Sequence, residues 1–175
     1  WLLGDRYPVR CYGTGGRQAR TGPEFGHTYD HFACAYEYGD GARLFATTRQ
    51  QVGCSDELAT YAFGTRGTFT HTARGLRIEG AAAWRPTQAL PEDLHQAEQD
   101  AFFRALRQGR TLNNGEYMAR STMMAILGRL CAYTGRTLTW EQALASKEEL
   151  KPSAYAFDAT PPPAEVAIPG VTGFF

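Results

Sequence analysis

The 175-residue sequence has no long apolar run and no excess of charge of either sign. A membrane-spanning helix needs about 20 consecutive apolar residues, and no segment approaches that length. Lysine plus arginine and aspartate plus glutamate both number 18, which favours neither nucleic acid nor an anionic membrane as a partner. We therefore expect no nucleic acid and no membrane partner. The apolar fraction of 43% and the charged fraction of 21% are those of an ordinary soluble domain with its own core.

Cysteine is scarce, and its spacing excludes the small folds that depend on it. The four cysteines are widely separated, and no two of them form a C-x-x-C pair. This spacing fits neither a zinc knuckle nor a compact disulfide scaffold, so we interpret the cysteines as small buried side chains. They are Cys11, Cys34, Cys54 and Cys131.

Catalytic signatures are also missing from the sequence. The sequence contains no P-loop, no recognisable Ser-His-Asp triad motif, no Cys-His nucleophile motif and no pair of carboxylates at a spacing typical of acid-base catalysis. We therefore assign no catalytic residue.

Strand patterns occupy the first half of the chain, and helical patterns occupy the second half. Residues 31–50 alternate as a hairpin, and two more strand patterns flank Gly64–Gly67. Helical periodicity follows over Glu92 to Gln108 and again from Ser121. Because strands and helices do not alternate, the order predicts an α+β fold, an open, mostly antiparallel β-sheet with helices packed on one face.

The turn of the hairpin determines its predicted register. Asp40-Gly41 supplies the two positive φ angles of a type I′ turn, which closes a two-residue loop. With that loop, Tyr36 lies opposite Phe45 and His31 lies opposite Gln50. One face of the hairpin is then aromatic and the other face small.

The helical segment near the C-terminus is the most specific part of the sequence. A stripe of small side chains lets another backbone come close, Gly135 marks a helix end, and Thr139 to Gln142 has the spacing of a capping box. We expect a helix, a stop and a second helix. The stripe consists of Ser121, Ala125, Gly128 and Ala132.

Glu98 lies within the apolar stripe of the helix predicted over residues 92–108. Because a buried carboxylate needs a cationic or donor partner, we hypothesise that Glu98 pairs with an arginine, Arg129 being one choice. Exposure of Glu98 to solvent would rule this pairing out.

Polar side chains converge at one end of the predicted hairpin. Tyr29, Asp30 and His31 lie at a loop-to-strand junction, and Arg49 and Gln50 end the second strand beside them. Such a junction is a position from which a sheet presents polar groups to a ligand. The alternative is a structural turn in which Asp30 accepts hydrogen bonds from nearby backbone amides.

Three other patterns near this junction have competing interpretations. Gly13–Gly16 follows a strand predicted over residues 8–12, but no helix follows to hold a pyrophosphate, so we predict a glycine-rich loop over residues 13–23. His27 and His31 have the spacing of metal ligands on a helix, but strand alternation begins at His31 and no third ligand is evident. Arg17 suits a carboxylate, a phosphate or a sugar hydroxyl, and a surface ion pair is the alternative.

Several short motifs together resemble a bacterial branch of the Gfo/Idh/MocA oxidoreductases, the relatives of glucose-fructose oxidoreductase and inositol dehydrogenase. The resemblance covers nearly the whole chain but only the C-terminal half of that family. The motifs are Tyr12–Gln18, Tyr29–Phe32, Tyr36–Tyr38 with Asp40-Gly41, Arg49-Gln50, Gly64–Gly67, Leu127–Arg129, Ala132–Gly135, Thr139-Trp140 and Ile168–Gly170.

The resemblance implies a domain whose open sheet closes a substrate pocket and often builds the oligomer. The family's Rossmann domain, which binds NAD or NADP, and its catalytic groups would precede Trp1, so we assign no cofactor-binding, catalytic or metal residue to this chain. We expect the chain to be inactive by itself and its parent to be an NAD(P)-dependent oxidoreductase acting on a sugar, polyol or derivative. The implied partners are the missing Rossmann domain, the substrate and a second copy bound through the sheet face.

The resemblance also implies site residues and domain limits. We expect a substrate-binding and oligomerisation domain over residues 1–160 and a proline-rich tail over residues 161–175. Trp1–Gly4 is similar to the last turn of a helix, so we expect upstream sequence, in which any targeting segment would lie. The alternatives are a non-catalytic carbohydrate-binding or assembly module and, after it, a metal-dependent enzyme. The candidate substrate-binding residues are Arg17, Tyr29, Asp30, His31, Arg49 and Gln50.

Overall fold

The computed structural model of the chain describes residues 2–88, 93–152, 154–159 and 165–175. The chain forms two compact units. The first unit consists of Trp1–Val52 and Asn114–Phe175, and the second unit consists of Gly53–Asn113. Each unit contains an open antiparallel sheet and at least one helix, so the α+β fold predicted from the order of the patterns is confirmed.

The described residues contain seven strands and three α-helices. The strands are β1 (Arg10–Gly16), β2 (His31–Glu37), β3 (Arg43–Arg49), β4 (Thr60–Gly64), β5 (Gly67–Thr72), β6 (Gly75–Gly80) and β7 (Leu138–Thr139). The helices are α1 (Leu94–Arg107), α2 (Gly115–Thr134) and α3 (Trp140–Leu144), and a short 3-10 helix spans Pro23–Phe25. None of these helices has both the length and the apolar character that crossing a bilayer requires.

The sheet of the first unit has the strand order β3-β2-β1-β7, and α2 packs across one of its faces, mainly over β1. The small side chains predicted on α2 lie at this crossing. A Cβ built on Gly13 of β1 would stand 3.0 Å from the carbonyl oxygen of Gly128 and 3.1 Å from the amide nitrogen of Ala132. Glycine at position 13 therefore lets the helix and the strand approach closely.

Strand β1 continues to Gly16, so the loop predicted over residues 13–23 is wrong for residues 13–16. The glycines are required by packing in the sheet rather than by a turn. A Cβ on Gly15 would stand 2.6 Å from the carbonyl oxygen of His31 and 3.1 Å from the ring of Tyr29. Glycine inside a strand commonly marks such a close approach of neighbouring groups.

The β2–β3 hairpin is closed by a three-residue loop, so the predicted two-residue turn is wrong. The Tyr38 amide donates to the Ala42 carbonyl at 2.9 Å, and the Gly41 amide donates to the Tyr38 carbonyl at 2.9 Å. Gly41 has a φ of 86°, whereas Asp40 is not among the residues with positive φ, as a type I′ turn would require. A type I turn followed by a left-handed glycine accounts for this loop.

The longer loop shifts the hairpin register by one residue from the predicted register. This shift decides which side chains of β3 lie beside those of β2 on each face of the sheet. Tyr36 lies opposite Leu44 instead of Phe45, and His31 lies opposite Arg49 instead of Gln50.

The core of the first unit lies between α2 and the sheet. Three cysteines are buried there as thiols, but Cys54 is exposed, so the expectation of four buried cysteines is wrong for that residue. The Tyr36 hydroxyl donates to the carbonyl of Met124 on α2 at 3.0 Å, which joins the helix to β2. The core consists of Cys11, Cys34, Tyr36, Tyr38, Leu127, Leu130, Cys131, Leu138, Trp140 and Ala143.

The predicted end of α2 and the predicted capping box of α3 are both confirmed. Gly135 caps α2 in the left-handed conformation, with a φ of 69°. Thr139 and Gln142 form a capping box at the start of α3. The Thr139 hydroxyl accepts from the Gln142 amide at 3.1 Å, and the Gln142 side chain accepts from the Thr139 amide at 2.8 Å.

The last residues of the chain pack on the first unit. The Gly170 amide donates to the Thr134 carbonyl at 2.9 Å, and the Phe175 carbonyl accepts from the Lys147 amide at 2.9 Å and the Ser146 hydroxyl at 2.8 Å. Residues 160–164, which include the triple proline of the predicted tail, lie outside the described residues.

The second unit contains a sheet with the order β4-β5-β6 and the helix α1. Asp93 caps α1 by accepting from two backbone amides, and the predicted helix start at Glu92 lies outside the described residues. Glu98 on α1 is exposed, and Arg129 forms its ion pair with Glu148. The hypothesis that Glu98 is a buried carboxylate paired with an arginine is therefore wrong.

Candidate functional site

Asp30 lies at the centre of the polar end of the four-stranded sheet. The residue precedes β2 and is only 2% exposed. Its Oδ1 lies 2.8 Å from Nδ1 of His31 and accepts from Nε2 of Gln51 at 3.0 Å. Its Oδ2 accepts from the backbone amides of Gln18, Ala19 and Arg20 at 2.8, 2.6 and 3.0 Å. We call Asp30 and these five donors the Asp30 cluster.

The surroundings of Asp30 hold it in the charged form. Burial by itself raises the pKa of a carboxyl group, because a low-dielectric environment disfavours the charge. The hydrogen bonds from the Arg20 amide, from His31 and from the amides of residues 19 and 18 outweigh burial and hold the pKa of Asp30 well below its usual range. Asp30 is thus a buried anion whose acceptor positions are filled by the chain itself.

Arg17 holds the loop that follows β1. Its guanidinium donates to the backbone carbonyls of Arg20, Gly22 and Gly26, and Nη2 lies 2.6 Å from the Gly22 oxygen. The planar fork of arginine is suited to this multiple capture of carbonyl oxygens. Arg17 therefore fixes residues 20–26 from one side, while Asp30 fixes residues 18–20 from the other.

His31 has one ring nitrogen engaged by Asp30 and a ring that lies over β1. A Cβ built on Gly16 would stand 3.0 Å from Cε1 and 3.2 Å from Nε2 of His31, so glycine at this position makes room for the imidazole. The His31 side chain is 34% exposed. Because Asp30 engages Nδ1, a further partner of the imidazole would bind at Nε2, which is an acceptor in the neutral ring with Nδ1 protonated and a donor in the protonated ring.

Arg49 and Gln50 lie at the end of β3, opposite the start of β2. Arg49 is the residue directly opposite His31 in the β2–β3 ladder. The Gln50 amide donates to the backbone carbonyl of Asp30 at 2.8 Å. The end of β3 is therefore tied to the Asp30 cluster through the backbone.

Arg20 is the outermost group of the loop. Its Nη2 donates to Oε1 of Gln50 at 2.9 Å, and its guanidinium carbon lies 5.6 Å from the centre of the Phe25 ring. An arginine held over an aromatic face and by an amide oxygen keeps its charge at the surface in a restricted orientation.

Tyr29 is buried beneath the site and connects it to the end of the chain. Its hydroxyl donates to the carbonyl of Ala167 at 2.8 Å, and its ring centre lies 4.5 Å from Tyr133 and 5.8 Å from Phe32. Burial, with a smaller contribution from Tyr133, raises the pKa of Tyr29. Tyr29 therefore supports the site by packing.

The structure brings all six candidate residues to this end of the sheet but gives them different surroundings. Of these six, His31, Arg49 and Gln50 reach the surface, whereas Asp30 and Tyr29 are buried and Arg17 is bonded within its loop. Arg20, which was not a candidate, is also exposed. Asp30 accepts hydrogen bonds from backbone amides, as the alternative interpretation of the sequence stated, but the sequence did not show that these are the amides of residues 18–20 or that Gln51 is a further donor. The amides carry no sequence signal, because almost every residue supplies a backbone N–H.

We call the sheet face that α2 does not cover the open face. Its side chains form rows, each consisting of the residues that pair across β1, β2 and β3. In its middle row, Tyr12 and Phe45 flank Ala35 and are 56% and 71% exposed. The row next to the site consists of Thr14, Ala33 and Thr47. In the row farthest from the site, Glu37 pairs with Arg10 and Arg43 at 2.6 and 2.8 Å.

Neither a metal ion nor a dinucleotide fits the residues of this region. In the part of the chain that the structure describes, no group of three or more His, Cys, Asp or Glu side chains could hold a metal. The glycines of residues 13–16 lie inside β1, and the next helical segment is the three-residue 3-10 helix Pro23–Phe25. A dinucleotide site on a glycine loop needs the N-terminus of a full helix directly after the glycines.

Comparison with known proteins finds similarity only at the level of structure. No family model matches the chain, and no curated protein sequence matches it. A protein from Thermotoga maritima, assigned as an oxidoreductase, matches 79% of this chain with a TM-score of 0.61 and 18% identity, over 42% of its own length. The aldose-aldose oxidoreductase of Caulobacter crescentus, complexed with glycerol, matches 78% with a TM-score of 0.59 and 18% identity, over 42% of its length.

A third solved structure gives the same result. An oxidoreductase from Agrobacterium radiobacter, in complex with NAD+, L-tartaric acid and magnesium, matches 77% of this chain with a TM-score of 0.57 and 16% identity, over 44% of its own length. The chain thus spans less than half the length of the structures that it matches. These neighbours are oxidoreductases of the Gfo/Idh/MocA type, so the resemblance indicated by the motifs is confirmed for the fold.

Proposed function

We propose that this chain is the C-terminal substrate-binding and oligomerisation domain of an NAD(P)-dependent oxidoreductase that acts on a sugar, a polyol or a derivative of one. The observation that carries the proposal is the Asp30 cluster, a preorganised polar site at the end of a sheet whose fold is shared with part of known oxidoreductases. Preorganised polar groups that orient a ligand are what a substrate domain must supply.

The residues of this chain divide into those that position and those that contact the ligand. Asp30 and Arg17 fix the loop and Tyr29 supports it from beneath, so these three act through their neighbours. The exposed groups of His31, Arg49 and Gln50 donate to and accept from substrate hydroxyls. This division follows from burial, because a carboxylate whose acceptor positions are filled has none left for a ligand.

The cofactor belongs to another part of the parent protein in this proposal. NAD or NADP, bound by a Rossmann domain that precedes this chain, supplies hydride transfer. Because the groups that hold the dinucleotide belong to that preceding domain in this proposal, we expect the chain by itself to be catalytically silent.

The open face supports the oligomerisation role. Its middle row exposes two aromatic rings on a regular surface, and the ion pairs of Glu37 border this row. Exposed apolar groups of this kind on a flat face are suited to burial against a second copy. A two-fold interface would place Tyr12 and Phe45 of one copy against the same face of its partner.

The experiment that tests the proposal compares the chain with its parent. The parent, produced with the sequence that precedes Trp1, should reduce NAD+ or NADP+ with at least one compound of a sugar and polyol panel, and the 175-residue chain should not. Micromolar binding of NAD+ by the 175-residue chain would contradict the assignment of cofactor binding to the preceding domain. A parent that binds carbohydrate but neither dinucleotide would instead establish the alternative, a non-catalytic carbohydrate-binding or assembly module.

A further inference from the structure

We propose that the ligand of this site carries an anionic oxygen group, a carboxylate or a phosphate, on its sugar or polyol skeleton. The inference rests on the proposed function, because it names the substrate class of the same site. It concerns the outer groups of the site, Arg20, His31 and Arg49.

The charge of the site is arranged in favour of an anion. The loop and strand ends that form it, residues 15–31 and 47–52, contain three arginines and two carboxylates. One of the carboxylates, Asp30, is buried and directs both oxygens at groups of the chain itself. The arginines Arg20 and Arg49 are exposed. A ligand approaching from solvent therefore meets more positive than negative charge.

Two of the three outer groups are held in place before any ligand binds. Gln50 and the Phe25 ring restrict Arg20, and Asp30 together with the glycine at position 16 restricts the imidazole of His31. Preorganised donors cost little ordering entropy when an anion binds. Charge-assisted hydrogen bonds from arginine and imidazolium are also the strong donors for carboxylate and phosphate oxygens.

The register of the β2–β3 hairpin brings His31 and Arg49 together. His31 and Arg49 are directly opposite in the β2–β3 ladder, so their side chains leave the same face of the sheet. The row beside them contains only the small side chains of Thr14, Ala33 and Thr47. A ligand whose anionic group binds at His31 and Arg49 could therefore place its polyol skeleton over this row, where the threonine hydroxyls can bond to it.

Matched ligand pairs test the inference on the ¹⁵N-labelled 175-residue chain. Gluconate and sorbitol differ at one carbon, a carboxylate against an alcohol, and glucose 6-phosphate and glucose differ by the phosphate. NMR titrations at constant ionic strength should give at least about tenfold tighter binding for the anionic member of one pair, with shifts at the amides of residues 18–20. The pair that shows the preference identifies the source of the anion.

Variants locate the preference in the chain. The substitutions R20Q, R49Q and H31Q should each reduce the preference for the anion several-fold, and R136Q, an exposed arginine elsewhere in the same unit, should leave it unchanged. The amide spectrum of each variant reports whether the domain is still folded.

The outcomes separate this inference from the proposed function. Equal binding of the neutral and anionic members, or a preference that none of the three variants reduces, would overturn the inference and leave the proposed function standing. Absence of binding by all four compounds would contradict both.

Discussion

Oδ1 of Asp30 lies 2.8 Å from Nδ1 of His31, while Oδ2 of the same carboxylate accepts hydrogen bonds from three backbone amides of the loop after β1. One buried anion therefore fixes both the imidazole and the loop that faces it. Because the loop has no regular secondary structure over residues 17–22, its conformation depends on this carboxylate and on Arg17.

Replacing Asp30 by asparagine should destabilise the first unit. An amide group offers one acceptor oxygen where the carboxylate offers two, so some of the loop amides lose their partner and the charge that strengthens the bonds is gone. We expect a loss of about 2 to 3 kcal/mol in the free energy of unfolding at pH 7, measured by urea denaturation. The control is D40N, since Asp40 is exposed in its pair with Arg6, and the loss there should be smaller. Equal losses would contradict the structural role of Asp30.

The acid branch of the stability curve gives a second test of Asp30. Its pKa is lower in the folded chain than in the unfolded chain, so its contribution to stability is complete above the pKa of an unfolded aspartate, about 3.9. The contribution is lost as the pH falls below that value toward the lower folded pKa. The free energy of unfolding should therefore fall more steeply below about pH 4 in the wild type than in D30N. Parallel curves for the two proteins would show that Asp30 does not cause the loss of stability at acid pH.

The crossing of α2 over the sheet predicts a strong effect of G128A. A Cβ at this position would overlap the hydroxyl oxygen of Tyr36 and stand 3.0 Å from Sγ of Cys34. Alanine favours the helix by about 1 kcal/mol, but overpacking in a core costs about 1 to 3 kcal/mol. The Tyr36 side chain is buried and bonded to the Met124 carbonyl, which limits its movement away from the new Cβ. We expect a net loss of stability in chemical denaturation.

Two further variants show whether this steric explanation holds. G39A should be nearly neutral, because a Cβ there meets only Cγ1 of Val9 at an ordinary 3.8 Å. Y36F removes the overlapping oxygen, so the double variant Y36F/G128A should lose less than the sum of the single losses. Strict additivity would show that the two residues do not collide.

The features predicted correctly from sequence are those whose causes are local. Gly135 ends α2, and Thr139 and Gln142 cap α3, within a few residues of the positions that they affect. The glycines of β1 were predicted as a loop because their reason lies elsewhere. Gly13 is required by Gly128, more than a hundred residues later, and no local pattern reveals that contact.

The same distinction applies to the site. Spacing grouped Asp30 and His31 with Arg49 and Gln50, because hairpin pairing brings the two strand ends together. The turn residues Asp40-Gly41 fitted a two-residue loop, and the extra residue, Gly39, changed the partner of His31. Burial of Asp30 by loop amides depends on the path of the backbone, which composition does not specify.

Assembly through the open face predicts that F45E disrupts the oligomer. Phe45 is 71% exposed in the middle row, and a carboxylate there would have to be buried without a partner in a two-fold interface. We expect sedimentation velocity to show dimers of the 175-residue chain and monomers of F45E. V52E is the matched control, because Val52 is also an exposed apolar residue but lies outside the open face. A wild-type chain that sediments as a monomer at high micromolar concentration would argue against the oligomerisation role.

The end of the chain should contribute to the stability of the site. The Tyr29 hydroxyl donates to the Ala167 carbonyl, and Phe174 packs against the core of the first unit, so residues 165–175 contact both Tyr29 and the core. Y29F keeps the ring against Tyr133 but removes the hydrogen bond, and we expect a loss of about 1 kcal/mol. Ending the chain at residue 164 should cost more, because it also removes the apolar contact of Phe174 with the core. Y12F, on the open face, controls for loss of a tyrosine hydroxyl, and thermal unfolding compares all four proteins. If the shortened chain melted with the wild type, the segment would be a passive tail, and the support that Tyr29 gives to the site would have to come from its ring alone.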